Sequence, residues 1–279
     1  MSAAESSLDI RRILVALDAS PQSLAALEAA TQLAARFEAE LIGIYVEDIN
    51  WIRLANFPFA REVSHYSATP RRLDSPQIEL HLRARARRVQ QAMAMMTKGT
   101  NLRWSFRVAR GTISVELVAA ALEADLVILG KTGWSGRRRV GSTTRTMIVQ
   151  SPRQVLILQR KVRLGVPIVV AFDGSKRGQK ALEAARLVWV EGSPVTVLLL
   201  AADSDQAQSL QLAARERLGV LGLQAQFRWQ PNLDGPRLAR LIRTEGCGVL
   251  VIPAESEHIS GEILLNLLNE IECAVLLVR

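Results

Sequence analysis

The sequence predicts an α/β protein that consists of two successive domains, each a parallel β-sheet with helices on both faces. Short Val/Ile/Leu runs alternate with helix-length segments along the whole chain, which is typical of parallel sheets buried on both faces. The chain also contains an internal repeat, in which residues 13–20 (ILVALDAS) resemble residues 168–175 (IVVAFDGS). We therefore expect one domain at residues 1–161 and a second at residues 162–279.

The repeat keeps one register beyond this first strand and turn. The segment ALEAA occurs at residues 26–30 and again at 181–185, the same distance along the chain as the two strands. The ends of the two halves, residues 155–158 and 275–278, are separated by fewer residues than their starts are. The second copy of the repeat is therefore shorter than the first. Most of the difference falls at residues 48–77, whose Pro, Arg and Ser content predicts a long loop or lid.

Each half is expected to carry five strands with helices between them. In the first half, the expected strands are 12–18, 40–46, 102–108, 125–130 and 154–159. The expected helices of that half are 21–37, 77–98, 112–122 and 142–150. In the second half, the expected strands are 167–172, 194–201, 223–229, 248–252 and 274–278. Within the loop or lid, Trp51, Phe57 and Phe59 indicate that part of the segment packs down.

The excess of positive charge lies entirely in the first half. The formal net charge is +8; residues 1–160 contain 22 Lys/Arg and 14 Asp/Glu, and the remainder contains 13 of each. This asymmetry favours an anionic partner, which could be nucleotide phosphates, nucleic acid or an acidic protein surface. One predicted helix carries Arg83, Arg85, Arg87 and Arg88, but no aromatic stacking pattern accompanies them, so we do not expect nucleic acid as the partner.

Composition also excludes several function classes. Cys247 and Cys273 have no metal-ligand spacing and are interpreted as buried thiols of a cytoplasmic protein. The start of the chain lacks the apolar run of a signal peptide, and no stretch of ~18 uncharged apolar residues predicts a membrane span. The three histidines are scattered, which gives no support to nucleophilic catalysis.

Ligands of parallel sheets bind at the carboxyl ends of the strands, so the loops after the strands are the candidate sites. The most informative is the loop at 130–143 (GKTGWSGRRRVGST), whose glycines let the backbone approach phosphates. Ser142 then opens a helix whose N-terminus attracts anions, and Lys131 adds charge. A purely structural alternative stays open here, in which Gly130 ends a strand while Asp18 and Ser142 cap helices.

The AspxSer turn after the first strand and the Gly-x2-Gly loop leading to Gly-Ser resemble the universal stress protein family. The resemblance covers essentially the whole chain as two copies and implies five-stranded, parallel, adenine nucleotide alpha-hydrolase-like sandwiches. It also implies ATP or another adenine nucleotide as ligand, with Asp18 and Val46 near adenine and ribose and the glycines near ribose and phosphates. The binding residues taken from the resemblance and the strand ends are Ala16, Asp18, Ser20, Val46, Gly130, Lys131, Gly133, Gly141, Ser142 and Thr143.

The glycine loop departs from the family's ATP-binding pattern. Seven residues separate Gly133 from Gly141, where the pattern Gly-x2-Gly-x9-Gly-Ser/Thr has nine. The deletion either is absorbed in the basic tip of the loop or shrinks the site to fit adenosine, AMP or ADP. A nucleotide-bound Mg²⁺ is the only metal that the sequence leaves room for.

The second half is degenerate at the corresponding loop. It keeps Asp173 and Ser175, but residues 253–262 (PAESEHISGE) contain no Gly-x2-Gly and carry three carboxylates. Carboxylates repel phosphate, and Pro253 removes a backbone donor. We therefore expect no nucleotide in this domain, and we expect it to pack against the first one.

Three function classes follow. The first is a regulatory protein of the stress response that binds an adenine nucleotide in its first domain and offers a changed surface to an unidentified protein partner. This first class is expected to show at most slow ATP hydrolysis. The alternative is a nucleotide-free interaction module of the same fold, and the third is an enzyme such as a nucleotidyl transferase or ATPase on a related sheet. A homodimer is also expected, formed through the last strand of each sheet, which end at Leu158 and Val278.

Overall fold

The computed structural model describes residues 9–57, 59–63, 70–72, 74–133, 139–159, 167–231, 234–256 and 259–279. The strands of the first half are β1 (Arg12–Ala16), β2 (Glu40–Asp48), β3 (Arg61–Val63), β4 (Pro70–Arg72), β5 (Trp104–Gly111), β6 (Leu126–Gly130) and β7 (Gln154–Leu158). Its helices are α1 (Pro21–Phe37), α2 (Ile49–Ala55), α3 (Ser75–Met96), α4 (Ile113–Ala121) and α5 (Ser142–Gln150).

The second half repeats the alternation without an insertion like that of the first. Its strands are β8 (Ile168–Phe172), β9 (Val195–Leu199), β10 (Ala225–Trp229), β11 (Val249–Pro253) and β12 (Ala274–Val278). Its helices are α6 (Lys176–Val188), α7 (Ser204–Val220), α8 (Gly235–Thr244) and α9 (Gly261–Glu270). The predicted strands are thus all found. β5 runs on to Gly111, beyond its predicted end, because it pairs with β2 as far as Asp48.

Ten strands form one continuous sheet in the order β10-β9-β8-β11-β12-β7-β6-β1-β2-β5. Each half contributes five neighbouring strands that pair in parallel, which confirms the predicted fold class. The halves meet where β7 and β12 pair antiparallel, with Leu156 opposite Leu276. Residues 160–166, which contain the expected domain boundary, lie outside the described residues.

The pairing of β7 with β12 corrects one expectation. These are the strands that end at Leu158 and Val278, through which a second copy of the chain was expected to associate. Each already has a strand on both sides, β6 and β12 in the case of β7 and β11 and β7 in the case of β12. A homodimer through these strands is therefore wrong, because no backbone edge is left there for another chain.

Two helical layers cover the sheet. The core on one face contains buried residues of α1, α3, α6 and α7, and the core on the other contains those of α4, α5, α8 and α9. Along β1, Ile13 and Val15 enter the first core and Leu14 the second, as the two-residue period of a strand requires. The repeated ALEAA segments lie on α1 and α6, where their buried alanines let these helices pack closely on the sheet.

The segment expected to be a loop or lid contains regular structure. Asp48 caps α2 by accepting a hydrogen bond from the Asn50 N–H (3.0 Å), and β3 and β4 form a separate two-stranded sheet. Part of the segment packs down as expected, because α2 lies against α3 and β5 and buries Ala55, but Trp51, Phe57 and Phe59 themselves are 53%, 49% and 76% exposed. The rings of Phe57 and Phe59 stack on each other instead, with centroids 5.5 Å apart. Within the described part of the chain, no helix is long and apolar enough to cross a bilayer.

Candidate functional site

A cavity of about 270 Å³ opens at the carboxyl ends of the first domain's central strands. The crevice lies between β1 and β6, where chain connections leave in opposite directions, the position at which doubly wound sheets bind ligands. The lining residues are Ala16, Leu17, Asp18, Ser20, Ser23, Ile44, Val46, Ile113, Leu117, Leu129, Gly130, Thr132, Gly133, Gly141, Ser142, Thr143 and Thr144. Nine of the ten residues predicted as binding residues are among them.

The turn after β1 is held by its own side chains. Asp18 Oδ1 accepts a hydrogen bond from the Ser20 N–H (2.9 Å), while Ala19 takes the left-handed conformation with φ 64°. Ser20 is the N-cap of α1, and its Oγ accepts from the Ser23 N–H (3.2 Å). The alternative in which Asp18 caps the helix is therefore wrong; Asp18 shapes the turn and lines the cavity.

The glycine loop needs its small residues for two close approaches. A Cβ at Gly130 would lie 2.8 Å from Gln22 Cβ, so glycine at this position lets the first turn of α1 pack against the end of β6. A Cβ at Gly133 would lie 2.8 Å from Asp18 Oδ2, so glycine here leaves room beside that carboxylate. The Gly141 N–H then donates to the Lys131 carbonyl (3.0 Å) and closes the loop, whose tip at 134–138 lies outside the described residues.

The N-terminus of α5 faces the same cavity. Gly141 is its N-cap and Ser142 its first helical residue, so the alternative in which Ser142 caps the helix is wrong. Among the described residues, no side chain caps this helix end, which leaves its first N–H groups for an anion. Thr144 fixes the helix to the strand by donating its hydroxyl to the Gly130 carbonyl (2.9 Å).

Apolar side chains form the other part of the lining. Ile44 and Val46 come from β2, Ile113 and Leu117 from α4, and Leu129 from β6. Together with the polar turn and the helix N-terminus, they make a cavity that can take a ligand with an apolar ring system at one end and an anionic group at the other. The sequence reasoning missed the α4 residues, because their approach depends on the crossover from β5 and has no local motif.

Lys131 was predicted to be a binding residue, but its side chain points away from the cavity. It follows Gly130 directly, but its side chain does not line the cavity. Its ammonium donates to Gln159 Oε1 (3.2 Å) and to the Ile271 carbonyl (3.4 Å) of the second half. Burial lowers the pKa of Lys131, and the charges of Glu272 and Cys273 act in the opposite direction. The long side chain turns toward the junction of the halves because Gln159, at the end of the first half, and the Ile271 carbonyl of the second lie within its reach.

Replacing Lys131 with methionine is expected to flatten part of the pH dependence of stability. Because burial lowers the folded-state pKa below the ordinary lysine value of 10.5, the unfolded chain binds more protons, and the wild-type free energy of unfolding rises with pH toward that value. In urea unfolding from about pH 7 to about pH 10, the free energy of unfolding of K131M should therefore fall relative to that of the wild type as the pH rises. The exposed Lys98→Met is the control, and parallel curves for wild type and K131M would contradict the assignment.

The second half keeps the turn of the first but has no Gly-x2-Gly loop beside it. Asp173 Oδ1 accepts from the Ser175 N–H (3.0 Å), which repeats the turn of the first half. Arg177 on α6 then forms an ion pair with Glu255, across the position at which the glycine loop would open. Residues 257 and 258 of the degenerate segment lie outside the described residues. The expectation of an empty second domain stays a prediction, and this ion pair supports it.

Residues of the second half also hold the glycine loop of the first. Asn269 on α9 accepts a hydrogen bond from the Val140 N–H through its Oδ1 (2.9 Å). The Arg279 guanidinium donates to the carbonyls of Met147 (3.5 Å) and Ile148 near the end of α5. These contacts span more than a hundred residues of sequence, so no local pattern could have indicated them.

The strand order and the crevice define a doubly wound α/β sandwich of the adenine nucleotide alpha-hydrolase-like class. Residues 9–159 match the universal stress protein family, and since this is more than half of the chain, the chain belongs to that family. No curated protein sequence matches the chain.

Solved structures of the family share this architecture. A universal stress protein from Archaeoglobus fulgidus matches 98% of this chain and 99% of its own, with 17% identity and a TM-score of 0.74. A putative universal stress protein from Pseudomonas aeruginosa matches 98% of this chain and 94% of its own, with 17% identity and a TM-score of 0.61. At these identities the likeness shows the fold alone. A universal stress protein in complex with cAMP matches 53% of this chain at a TM-score of 0.36, which is too low to carry its ligand over.

Proposed function

We propose that the first domain binds an adenine nucleotide and that the protein is a cytoplasmic regulator of the stress response. One observation carries the proposal: the cavity at the β1–β6 crevice joins the apolar lining from β2 and α4 to the N-terminus of α5, which no described side chain caps. An apolar slot suits a purine ring, and helical N–H groups suit phosphate oxygens. Family membership supports the same assignment.

The adenine and ribose would lie against Val46, Ile113 and Leu117, with Asp18 placed to accept a hydrogen bond from a ribose hydroxyl. The phosphates would lie between Gly133 and the first turn of α5. No group of three metal-ligating side chains occurs among the described residues, so Mg²⁺ would be held mainly by the phosphate oxygens. Asp18 is the one carboxylate among the described lining residues and already accepts the Ser20 N–H, so we expect at most slow ATP hydrolysis.

Equilibrium titration calorimetry of the full chain with ATP, ADP and AMP, each with and without Mg²⁺, tests the proposal. We expect one site per chain, with ADP or AMP binding at least as well as ATP because the glycine loop is two residues shorter than the family pattern. Inorganic triphosphate should bind more weakly than any of them, because it lacks the ring for the apolar slot. A folded protein that ignores all three nucleotides would instead support the nucleotide-free interaction module.

A further inference from the structure

The two cysteines, far apart in sequence, lie on neighbouring strands of the second half. Cys247 precedes β11 and Cys273 directly precedes β12, and the register of these strands places Val249 opposite Ala274. The Ala274 N–H donates to the Gly248 carbonyl (3.0 Å), and each cysteine directly precedes one residue of this hydrogen-bonded pair. Both cysteines belong to the same core, so their side chains lie on one face of the sheet. Neighbouring strands lie ~4.8 Å apart, and a disulfide spans Cα separations of about 4.4–6.8 Å.

The two thiols are free and in contact. The Cys247 thiol lies within hydrogen-bonding reach of the Cys273 sulfur, and both side chains pack against the core formed with α8 and α9. Cys273 is buried, whereas Cys247 is partly exposed and gives the pair a route to solvent. No large movement of the backbone is therefore needed to bring the two sulfurs to bonding distance.

The surroundings favour a thiolate at Cys273. The hydrogen bond from the Cys247 thiol lowers the pKa of Cys273, and the Lys131 ammonium acts in the same direction, while burial opposes both. The same hydrogen bond and burial raise the pKa of Cys247. The thiolate is the nucleophilic form of cysteine, so the pair has one sulfur suited to attack and a second suited to resolve the product.

We propose that Cys247 and Cys273 form a redox-active dithiol that a peroxide converts into an intramolecular disulfide. The Cys273 thiolate attacks one peroxide oxygen, the O–O bond breaks, and a sulfenic acid forms while hydroxide leaves and takes up a proton. The Cys247 sulfur then attacks the Cys273 sulfur, the S–O bond breaks, and the hydroxyl leaves as water with the Cys247 proton. In sum, two thiols and one hydrogen peroxide give one disulfide and two waters, and a dithiol reductant reverses the change.

The dithiol is connected to the glycine loop. The Ile271 carbonyl, two residues before Cys273, accepts hydrogen bonds from Lys131 (3.4 Å) and from Gln159 Nε2 (2.7 Å). The Lys131 carbonyl in turn holds the Gly141 N–H at the start of α5. Closing the disulfide therefore acts on the segment that anchors the loop. This coupling rests on the proposed nucleotide site, whereas the disulfide itself does not.

Oxidation of the reduced, folded full chain with hydrogen peroxide tests the proposal by intact mass and by counting free thiols. We expect both thiols to disappear together, with a mass lower by two hydrogen atoms and full recovery after dithiothreitol. Cys247→Ala should instead accumulate a Cys273 sulfenic acid that dimedone traps. Cys273→Ala should react with peroxide more slowly than the wild type or Cys247→Ala. Circular dichroism confirms that each variant is folded before oxidation.

Several outcomes would overturn the proposal. They are disulfides between chains, addition of oxygen without loss of hydrogen in the wild type, and two thiols that stay unmodified in the folded chain. Nucleotide titration of the reduced and oxidised forms separates the two proposals. If the disulfide forms in a chain that has no nucleotide affinity, the redox-active dithiol is supported and only its coupling to the glycine loop is contradicted.

Discussion

Replacing Gly133 with valine is expected to abolish adenine nucleotide binding while the protein stays folded. A Cβ at this position would lie 2.8 Å from Asp18 Oδ2, and the remaining methyl groups of valine would enter the cavity beside the N-terminus of α5. The phosphates would then lose their approach to the helical N–H groups. We expect affinity to fall about 100-fold or more, equivalent to about 2.7 kcal/mol of binding free energy.

The fold should tolerate this change because Gly133 is only half-buried and its φ is not positive. Gly219→Val in α7 is the matched control, since no heavy atom lies within 4 Å of the Cβ it would add. Calorimetry with the tightest-binding nucleotide and thermal unfolding of both variants complete the measurement. Undiminished nucleotide binding by G133V would place the nucleotide elsewhere. A G133V variant that binds no nucleotide but functions normally would favour the interaction module.

The fold and most of the candidate site could be predicted because both depend on local sequence. Strands such as β1 and β8 are buried on both faces, so they appear as uninterrupted apolar runs, and the repeat fixes their correspondence. Parallel strands end at one edge of the sheet, so loops that follow different strands meet there. For this reason Asp18, Val46 and Gly130, which are distant in sequence, line one cavity.

Lys131 and Asn269 show what could not be predicted. The direction of a long side chain depends on which acceptors lie nearest, and those of Lys131 belong to residues 159 and 271, brought near by the pairing of β7 with β12. Asn269 contacts the glycine loop for the same reason. The exposed Trp51 is the opposite case: its apolar character predicts burial, but α2 packs on α3 and β5 with Ala55 buried while Trp51 stays 53% exposed.

The antiparallel pairing of β7 with β12 has a consequence for stability, because the core on each face of the sheet is then shared by both halves. Leu156 and Leu276 face each other across the junction, both fully buried, and both belong to a core that contains residues of α1 and α6. Side chains at the junction are therefore shared by the two halves. We expect the described part of the chain to unfold in one cooperative transition, without a separate step for either half.

Leu156→Ala is accordingly expected to lower the free energy of unfolding by about 2–5 kcal/mol and to shift the whole transition. The truncated side chain leaves a cavity in a core to which both halves contribute residues. Leu212→Ala on α7, where leucine is 68% exposed, is the matched control and should change stability by less than about 0.5 kcal/mol. Urea unfolding followed by near- and far-ultraviolet circular dichroism measures both. If L156A splits the curve into two steps and moves only one, the halves unfold independently and the shared core does not couple them.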